Sequence, residues 1–587
     1  MNDLQNVREK QHIPLYISIT GHRDIRDEDK NLLKKIIKDF IKDKQSQCPY
    51  TPLVLLTPLA EGADRIAAEA ASESGIDFIG TLPMPIEEYK KNFDAHGSVE
   101  EFNSLLSKAS GIIEIPLLEG VSIEEFHNNQ KLRNEQYYQT GLFNARYCYY
   151  LIALWDGTDN NKKGGTADVV KIKQSGIPGN LSSSSSRLQD LQTGPIYHIV
   201  TPRVSNSLPE NSFEARFIYP EHYGVDEVRK KKHDDELVKN IDAFNKDFSN
   251  YSQTLSGRIQ KSAEELLKSD LDFNDSPVLQ DIACKHGIAT GLAAFFQTRR
   301  FRALRVLLFL IVIAFLFLQI YGEFYHKPFM LLLYPITMGI GAIWFYIARR
   351  RKYEHKHEDY RALAEALRVR FYLNVGGFNE NVSDHYLKRH RGELEWVLYA
   401  LRSSELEGWL AINSSPVIRK TDQTKILRTL KECWIDSQLR WFIKTAYKKQ
   451  RASKRWESLA NGFFVGAILS AVLLFLIRLP EGKLPENLVH YTEALHPILA
   501  SCMHFFLVLA ASFQLYNEKM AFSEQTKNYQ LMAQLFTLAG EKITSAIETN
   551  DFSEAREIIR EAALEALAEN GDWLMLHRSR PMELPKG

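Results

Sequence analysis

LRVLLFLIVIAFLFLQIY, residues 304–321, decides the architecture of this chain. After Arg305 it carries no charge over a length that crosses a hydrocarbon core of about 30 Å. Three more stretches behave the same way: FMLLLYPITMGIGAIWFYIA (329–348), LANGFFVGAILSAVLLFLI (459–477) and PILASCMHFFLVLAASFQLY (497–516). A soluble core helix of that length keeps one polar face, and none of the four has one. They fall two and two along the chain. The expected membrane part is therefore two helical hairpins, with larger water-exposed parts around them.

Bulk composition conceals this division. The 73 basic and 73 acidic residues cancel, charged residues make up 25% and the mean hydropathy is −0.28, averages over a membrane part and a polar remainder. A chain of 587 residues exceeds what one core organises, so roughly three or four domains are expected. The opening MNDLQNVREKQH is polar and lacks the apolar stretch of a cleaved secretory signal. Cys48, Cys148, Cys284, Cys433 and Cys502 show no CxxC spacing. That argues against a zinc site or a disulfide framework and suits a reducing compartment.

Orientation is read from the basic flanks. Arg299, Arg300, Arg302 and Arg305 lead into the first span, Arg349, Arg350, Arg351 and Lys352 follow the second, and Lys448, Lys449, Arg451, Lys454 and Arg455 precede the third. The connectors 322–327 and 478–496 are much less basic. By the positive-inside rule both termini and the central region are expected in the cytoplasm.

Residues 13–203 alternate short apolar runs with helical stretches. LYISIT (15–20), PLVLLTPLA (52–60), DFIGTLPM (77–84), GIIEIP (111–116), YYLIALW (149–155) and IYHIVTP (196–202) read as strands, with helices over 29–42 and 64–74. Near-continuous apolar strands between helices predict a Rossmann-like α/β domain, a mostly parallel sheet covered on both faces. Such sheets bind ligands outside the carboxyl ends of their strands.

Those ends carry the candidate ligand-binding residues. The first strand runs into Gly21, His22 and Arg23; the second into Glu61, Gly62 and Asp64 at the start of a helix; the fifth into Asp156, ahead of Gly164, Gly165, Thr166 and Asp168 at another helix start. Arg203 follows the sixth. Glycine before a helix lets backbone N–H groups approach a phosphate, which the helix dipole favours. Thr166 offers a hydroxyl, Lys163 or Arg23 a positive charge, and Asp156, Asp168 or Glu61 an acceptor for a ribose hydroxyl. Asp64 and Asp168 can also be first-turn acids that favour the dipole. The expected partner is a nucleotide-type small molecule, with no resident cofactor and no metal. The serine run 182–186 reads as a solvated insertion, and Cys148 and Trp155 as core residues.

The order GHRD (21–24), EGAD (61–64), GGTAD (164–168) and GPIYHIVTPR (194–203) resembles the SLOG superfamily, Rossmann-like domains related to the LOG and DprA families. The resemblance covers about the first 205 residues and implies binding of a nucleotide or an NAD or ADP-ribose derivative. Enzymatic LOG proteins carry PGGxGTxxE. Here GGT is followed by Ala167 and Asp168, so the glutamate of that pattern is missing from its place. The departure counts against hydrolysis and leaves binding intact.

From residue 225 the pattern turns helical and charged, with 230–232 basic beside 234–236 acidic, read as a solvated face with internal ion pairs. No aromatic-interleaved basic stripe is present, so nucleic acid is not an expected partner. Beyond it the chain looks like two copies of one design. Each span pair is followed by a helix with Y-x-x-[LM]-A-[EQ]-x-[LF], at 360–367 and 529–536. This arrangement, with WIDSQ (434–438) and GDWLMLHRSRP (571–581), resembles the SLATT family of two-span effector domains found beside SLOG sensors in prokaryotic conflict systems. That resemblance covers about residues 280–584. It implies a pore-forming effector in the inner (cytoplasmic) membrane, engaged by its sensor. The expected division is 1–205 sensor, 206–300 helical coupling region, 301–415 first two-span unit and 416–587 second.

Few polar groups lie within the spans, and His504 is the ionisable one. Gly339, Gly341 and Gly462-x-x-x-Gly466 suit close helix packing. Four spans are too few to line a wide pore within one subunit, so a homo-oligomer is expected. Three readings follow: a nucleotide-gated membrane effector, which the missing LOG glutamate favours; a membrane-anchored nucleotide hydrolase using Glu61, Asp156 or Asp168; and a scaffold whose Rossmann-like domain holds no ligand.

Overall fold

The computed structural model describes residues 11–581 except 94–96, 119, 160–162, 177–192, 206–208, 270, 272, 274–275, 379, 387–393, 413–421 and 479–485. The serine run 182–186 lies outside the described residues. The chain forms two compact units: Met1–Leu267 with Asp272–Ile288 and Ala366–Lys420, and Lys268–Leu271 with Ala289–Glu365 and Thr421–Gly587.

The first unit is built on a seven-stranded sheet. In chain order its elements are β1 (Leu15–Gly21), α1 (Lys30–Gln47), β2 (Leu53–Thr57), α2 (Ala63–Glu73), β3 (Asp77–Leu82), α3 (Ile86–Lys90), α4 (Ser98–Lys108), β4 (Gly111–Glu114), α5 (Ile123–Asn128), α6 (Gln130–Tyr147), β5 (Tyr150–Trp155), α7 (Thr166–Ser175), β6 (Ile196–Val200) and β7 (Ala215–Ile218). Strand order is β4-β3-β2-β1-β5-β6-β7, parallel throughout except for β7 at the edge. The α/β expectation holds, and the six apolar runs are the six parallel strands. The seventh, ARFI, is short and exposed at its first two residues, so it lacks the apolar signature of a central strand.

Leu151, Ile152, Ala153 and Leu154 of β5 are wholly buried because helices cover both faces. Each such Leu or Ile stabilises the unit by about 1.5–3 kcal/mol. One face packs Leu142, Val169, Val170 and Ile172 of α6 and α7 against β5 and β6. Tyr16, Leu56 and Ile79 pack with Tyr147 and with Leu406 of α13 (Glu395–Ile412).

Two later helices close the amino-terminal edge of the sheet. Asn245 of α8 (Glu227–Leu267) accepts the Ile13 N–H and donates to the Ile13 carbonyl, each at 2.9 Å. The Tyr399 hydroxyl of α13 accepts the Tyr16 N–H at 2.7 Å. The charged start of α8 keeps one surface pair of the expected kind, Lys232–Glu236 at 3.9 Å, and adds Lys230–Glu227 at 3.0 Å. Asp234, however, turns inward and is buried, accepting from the Tyr149 and Tyr150 hydroxyls at 2.8 and 3.0 Å. With the amino edge covered, the carboxyl edge is where a ligand can enter.

The second unit is helical. Four helical segments are long and apolar enough to cross a membrane: Pro277–Glu323, Pro328–Val375, Gln423–Arg478 and His490–Glu548, the second turning at 351–352 and the fourth at 520–521. No more than 17% of each apolar window is buried within the chain. Side chains such as Phe309, Ile343, Leu473 and Phe475 are about half exposed or more, a surface that lipid covers and water does not tolerate at this extent. This is a multi-pass membrane protein. Gly466 meets the Phe506 ring of the neighbouring helix at 3.1 Å from an added Cβ and Gly341 lies against Leu307 and Leu310, whereas Gly339 and Gly462 face open space. His504 Nδ1 has no hydrogen-bond partner among the described residues.

The two repeated tyrosines have equivalent surroundings. Tyr360 packs on Phe296 (5.7 Å between ring centroids) and Tyr529 on Phe442 (5.7 Å). In each case the phenylalanine lies on the helix that enters the first span of the same pair. Both tyrosines are buried.

Candidate functional site

β1 is flanked by β2 on one side and β5 on the other, so successive connections leave in opposite directions and their ends part there. At that switch point the carboxyl edge opens into a cavity of about 420 Å³, within the range of small-molecule sites.

Glycines shape its floor. Gly62, which precedes α2, has φ +80°, and a Cβ on it would lie 2.5 Å from the carbonyl oxygens of both His22 and Arg23. The β1 end can therefore pass close under α2 only because residue 62 has no side chain. Gly164 has φ +77°, with the Asn134 carbonyl 3.0 Å from where its Cβ would be. Gly165 is the N-cap of α7 and no side chain caps that helix, so its first N–H groups remain for a ligand.

Ten of the residues singled out from sequence line the cavity: Gly21, His22, Arg23, Glu61, Asp64, Lys163, Gly164, Gly165, Thr166 and Arg203. The other three stand behind it. Gly62 provides the close approach just described. Asp168 accepts the Gly164 N–H at 3.0 Å, which fixes the glycine loop and occupies one carboxylate oxygen. Asp156 accepts the Thr158 N–H at 2.9 Å and its carboxylate is almost wholly buried. Trp155, expected in the core, stands at the rim with its indole N–H donated to the Thr158 carbonyl.

The charges around the cavity are unequal in availability. Arg203 is clasped by Asp24 at 3.0 and 3.2 Å. Lys163 pairs with Glu135 at 2.5 Å and lies over the Tyr138 ring. Arg23 is exposed, with its guanidinium 5.2 Å from the centre of the Tyr137 ring. It forms no ion pair with a described residue. His22 Nε2 accepts the Asp156 N–H at 3.1 Å, so the ring proton is on Nδ1. Burial, and then Arg203, lower its pKa, and the neutral ring makes no true ion pair with the Asp156 carboxylate 3.4 Å away.

Asp64 is the unusual acid. It is buried, its carboxylate accepts the Ala60 N–H at 3.2 Å, and burial pushes its pKa up to about 7 against the pull of that bond, Arg23 and Arg65. Glu61 accepts from the Ser98 hydroxyl, which also receives Arg65 at 3.0 Å.

The wall opposite was missed from sequence. Gln130, Asn134, Tyr137, Gly141 and Asn144 of α6 line the cavity at spacings of three and four residues, one face of one helix. Asn144 is 3% exposed and its Oδ1 has no partner among the described residues. The wholly buried Tyr89 of α3 also lines the cavity, and its hydroxyl has no partner among the described residues. Buried polar atoms are normally satisfied, so these two set this wall apart from an ordinary core face. An amide-rich helical face is the signal that could have found this wall.

Among the described residues no group of three or more His, Cys, Asp or Glu side chains is placed to hold a metal. Fold and site together define a multi-pass membrane protein with a polar cavity at the switch point of a parallel α/β unit. Comparison of the chain with protein-family models, curated proteins and solved structures found no match.

Proposed function

We propose that this protein is a nucleotide-sensing membrane effector. The observation that carries the reading is the cavity itself. An uncapped helix start, an exposed Arg23 and the amide-rich face of α6 line one cavity, on a chain with four membrane-crossing helices. The helix start and Arg23 suit a phosphate; the amide side chains Gln130 and Asn134 suit hydroxyl or amine groups of a ribose or base. The ligand is a nucleotide or an NAD or ADP-ribose derivative, as the SLOG resemblance implies.

Following the SLATT resemblance, the spans form a pore as a homo-oligomer in the inner membrane, with both termini cytoplasmic, in antiviral or stress defence. Helices Pro277–Glu323 and Tyr353–Val375 each contribute residues to both compact units, which gives occupancy of the cavity a route to the spans. A ligand shifts such an equilibrium only by its differential affinity for the two states. The test is release of a trapped dye from liposomes holding the full chain, on addition of ADP-ribose, NAD or cyclic nucleotides. Release with one of them supports the reading.

A membrane-anchored hydrolase is the second reading, and Asp64 favours it. A cavity-lining carboxyl with a pKa of about 7 is poised as a general acid or base. Sealed liposomes with steady consumption of the nucleotide would establish this reading in place of the first.

A further inference from the structure

The geometry points to a binding site for the phosphate of an anionic phospholipid at the end of the second span, independent of the nucleotide reading. Helix α10 (Pro328–Arg350) ends at Arg351, and the chain turns at Lys352 into the helix Tyr353–Val375. Lys352 has φ +50°, a left-handed conformation that glycine or asparagine adopts more cheaply. A lysine held there keeps a positive charge at the turn.

The turn borders a second cavity, of about 120 Å³, lined by Phe345, Ala348, Arg349, Lys352, Tyr353, Glu354, His355 and Pro581. Its cations, Arg349 and Lys352, are exposed. Its one acid, Glu354, is engaged by the buried Arg300 at 2.5 Å, so it does not cancel them. The far wall is held in place: Lys519 donates to the Pro581 carbonyl at 2.7 Å.

Above this cup, Met338 and Ala342 of α10, both exposed, precede Phe345 and Arg349 at spacings of four, three and four residues, so they continue the cup's side of the helix along the surface that lipid covers. An apolar rail that ends in a cationic cup matches a molecule with acyl chains and a phosphate. Basic pockets at the cytoplasmic ends of spans recognise such headgroups through charge. Inorganic phosphate shares the charge but has nothing to place along the rail.

The test uses the purified full chain in neutral detergent, with Tm read as phosphatidylglycerol, phosphatidylcholine or inorganic phosphate is added. A ligand that binds the folded state alone raises Tm. Phosphatidylglycerol is expected to raise it, and the other two are not. Lys352→Gly should weaken the phosphatidylglycerol effect about five-fold in concentration, while relieving backbone strain, so loss of the effect is not a folding defect. Arg349→Gln should weaken it further. Lys448→Gln/Lys454→Gln, which removes two exposed cations elsewhere on the basic flanks, should leave it unchanged. An equal response to inorganic phosphate or to phosphatidylcholine would overturn the proposal. So would an equal loss in the Lys448/Lys454 variant, which would make the effect general attraction to a basic surface.

Discussion

The backbone amide of Asp156 donates to Nε2 of His22 at 3.1 Å, which ties the carboxyl end of β5 to the carboxyl end of β1 across the switch point. His22 is buried and neutral there. The residue thus holds the two strand ends at the spacing that forms the cavity mouth. The same carboxyl edge depends on glycines for close approach, on Asp168 for the loop before α7, and on a buried acid.

Gly62→Ala is expected to destabilise the first unit by about 1–3 kcal/mol, because alanine is strained at φ +80° and meets two carbonyl oxygens at 2.5 Å. Thermal denaturation of the full chain in detergent should show a lower transition. An unchanged transition would mean that the β1 end is free to move away from α2.

Gly165→Val should weaken nucleotide binding at least about ten-fold by blocking approach to the α7 N–H groups. Gly165 has φ −81°, which valine adopts readily, so helix content should stay the same. Titration calorimetry with whichever of ADP-ribose, NAD or cyclic nucleotides the wild type binds gives the comparison. Equal affinity would remove the helix start from the site.

Asp64 should leave a mark on stability against pH. Its folded pKa of about 7 lies above the ordinary aspartate value, so the folded state holds the proton more tightly. Its contribution is greatest below about pH 4 and is lost as pH rises to about 7, with little further change above. Asp64→Asn is neutral throughout and can still accept the Ala60 N–H. Compared at about pH 5 and about pH 8, the wild type should lose stability with rising pH and the variant less. Identical slopes would assign the titration to another group.

Topology is testable by labelling in a chain whose five cysteines have been replaced. An impermeant maleimide should react with Tyr325→Cys and Tyr491→Cys in intact cells, and with Val228→Cys only after permeabilisation. All three positions are exposed. The reverse pattern would invert the orientation read from the basic flanks.

Hydrophobic patterning alone determined the four spans and the six parallel strands, because burial on both faces or in lipid demands long uninterrupted apolar runs. Glycine beside an acid or a base at the strand ends pointed to the edge of the sheet that holds the cavity. Tertiary structure decided the rest. Whether a polar residue faces solvent, a cavity or a buried partner is the same in sequence, so Asn144 and Tyr89 were silent and Asp234 read as a surface acid. Asp156 and Asp168 carry the chemistry of ligand contacts, yet backbone N–H groups brought near by the fold engage them first. Sequence fixes what each side chain can bond, and only packing from distant segments decides which partner reaches it.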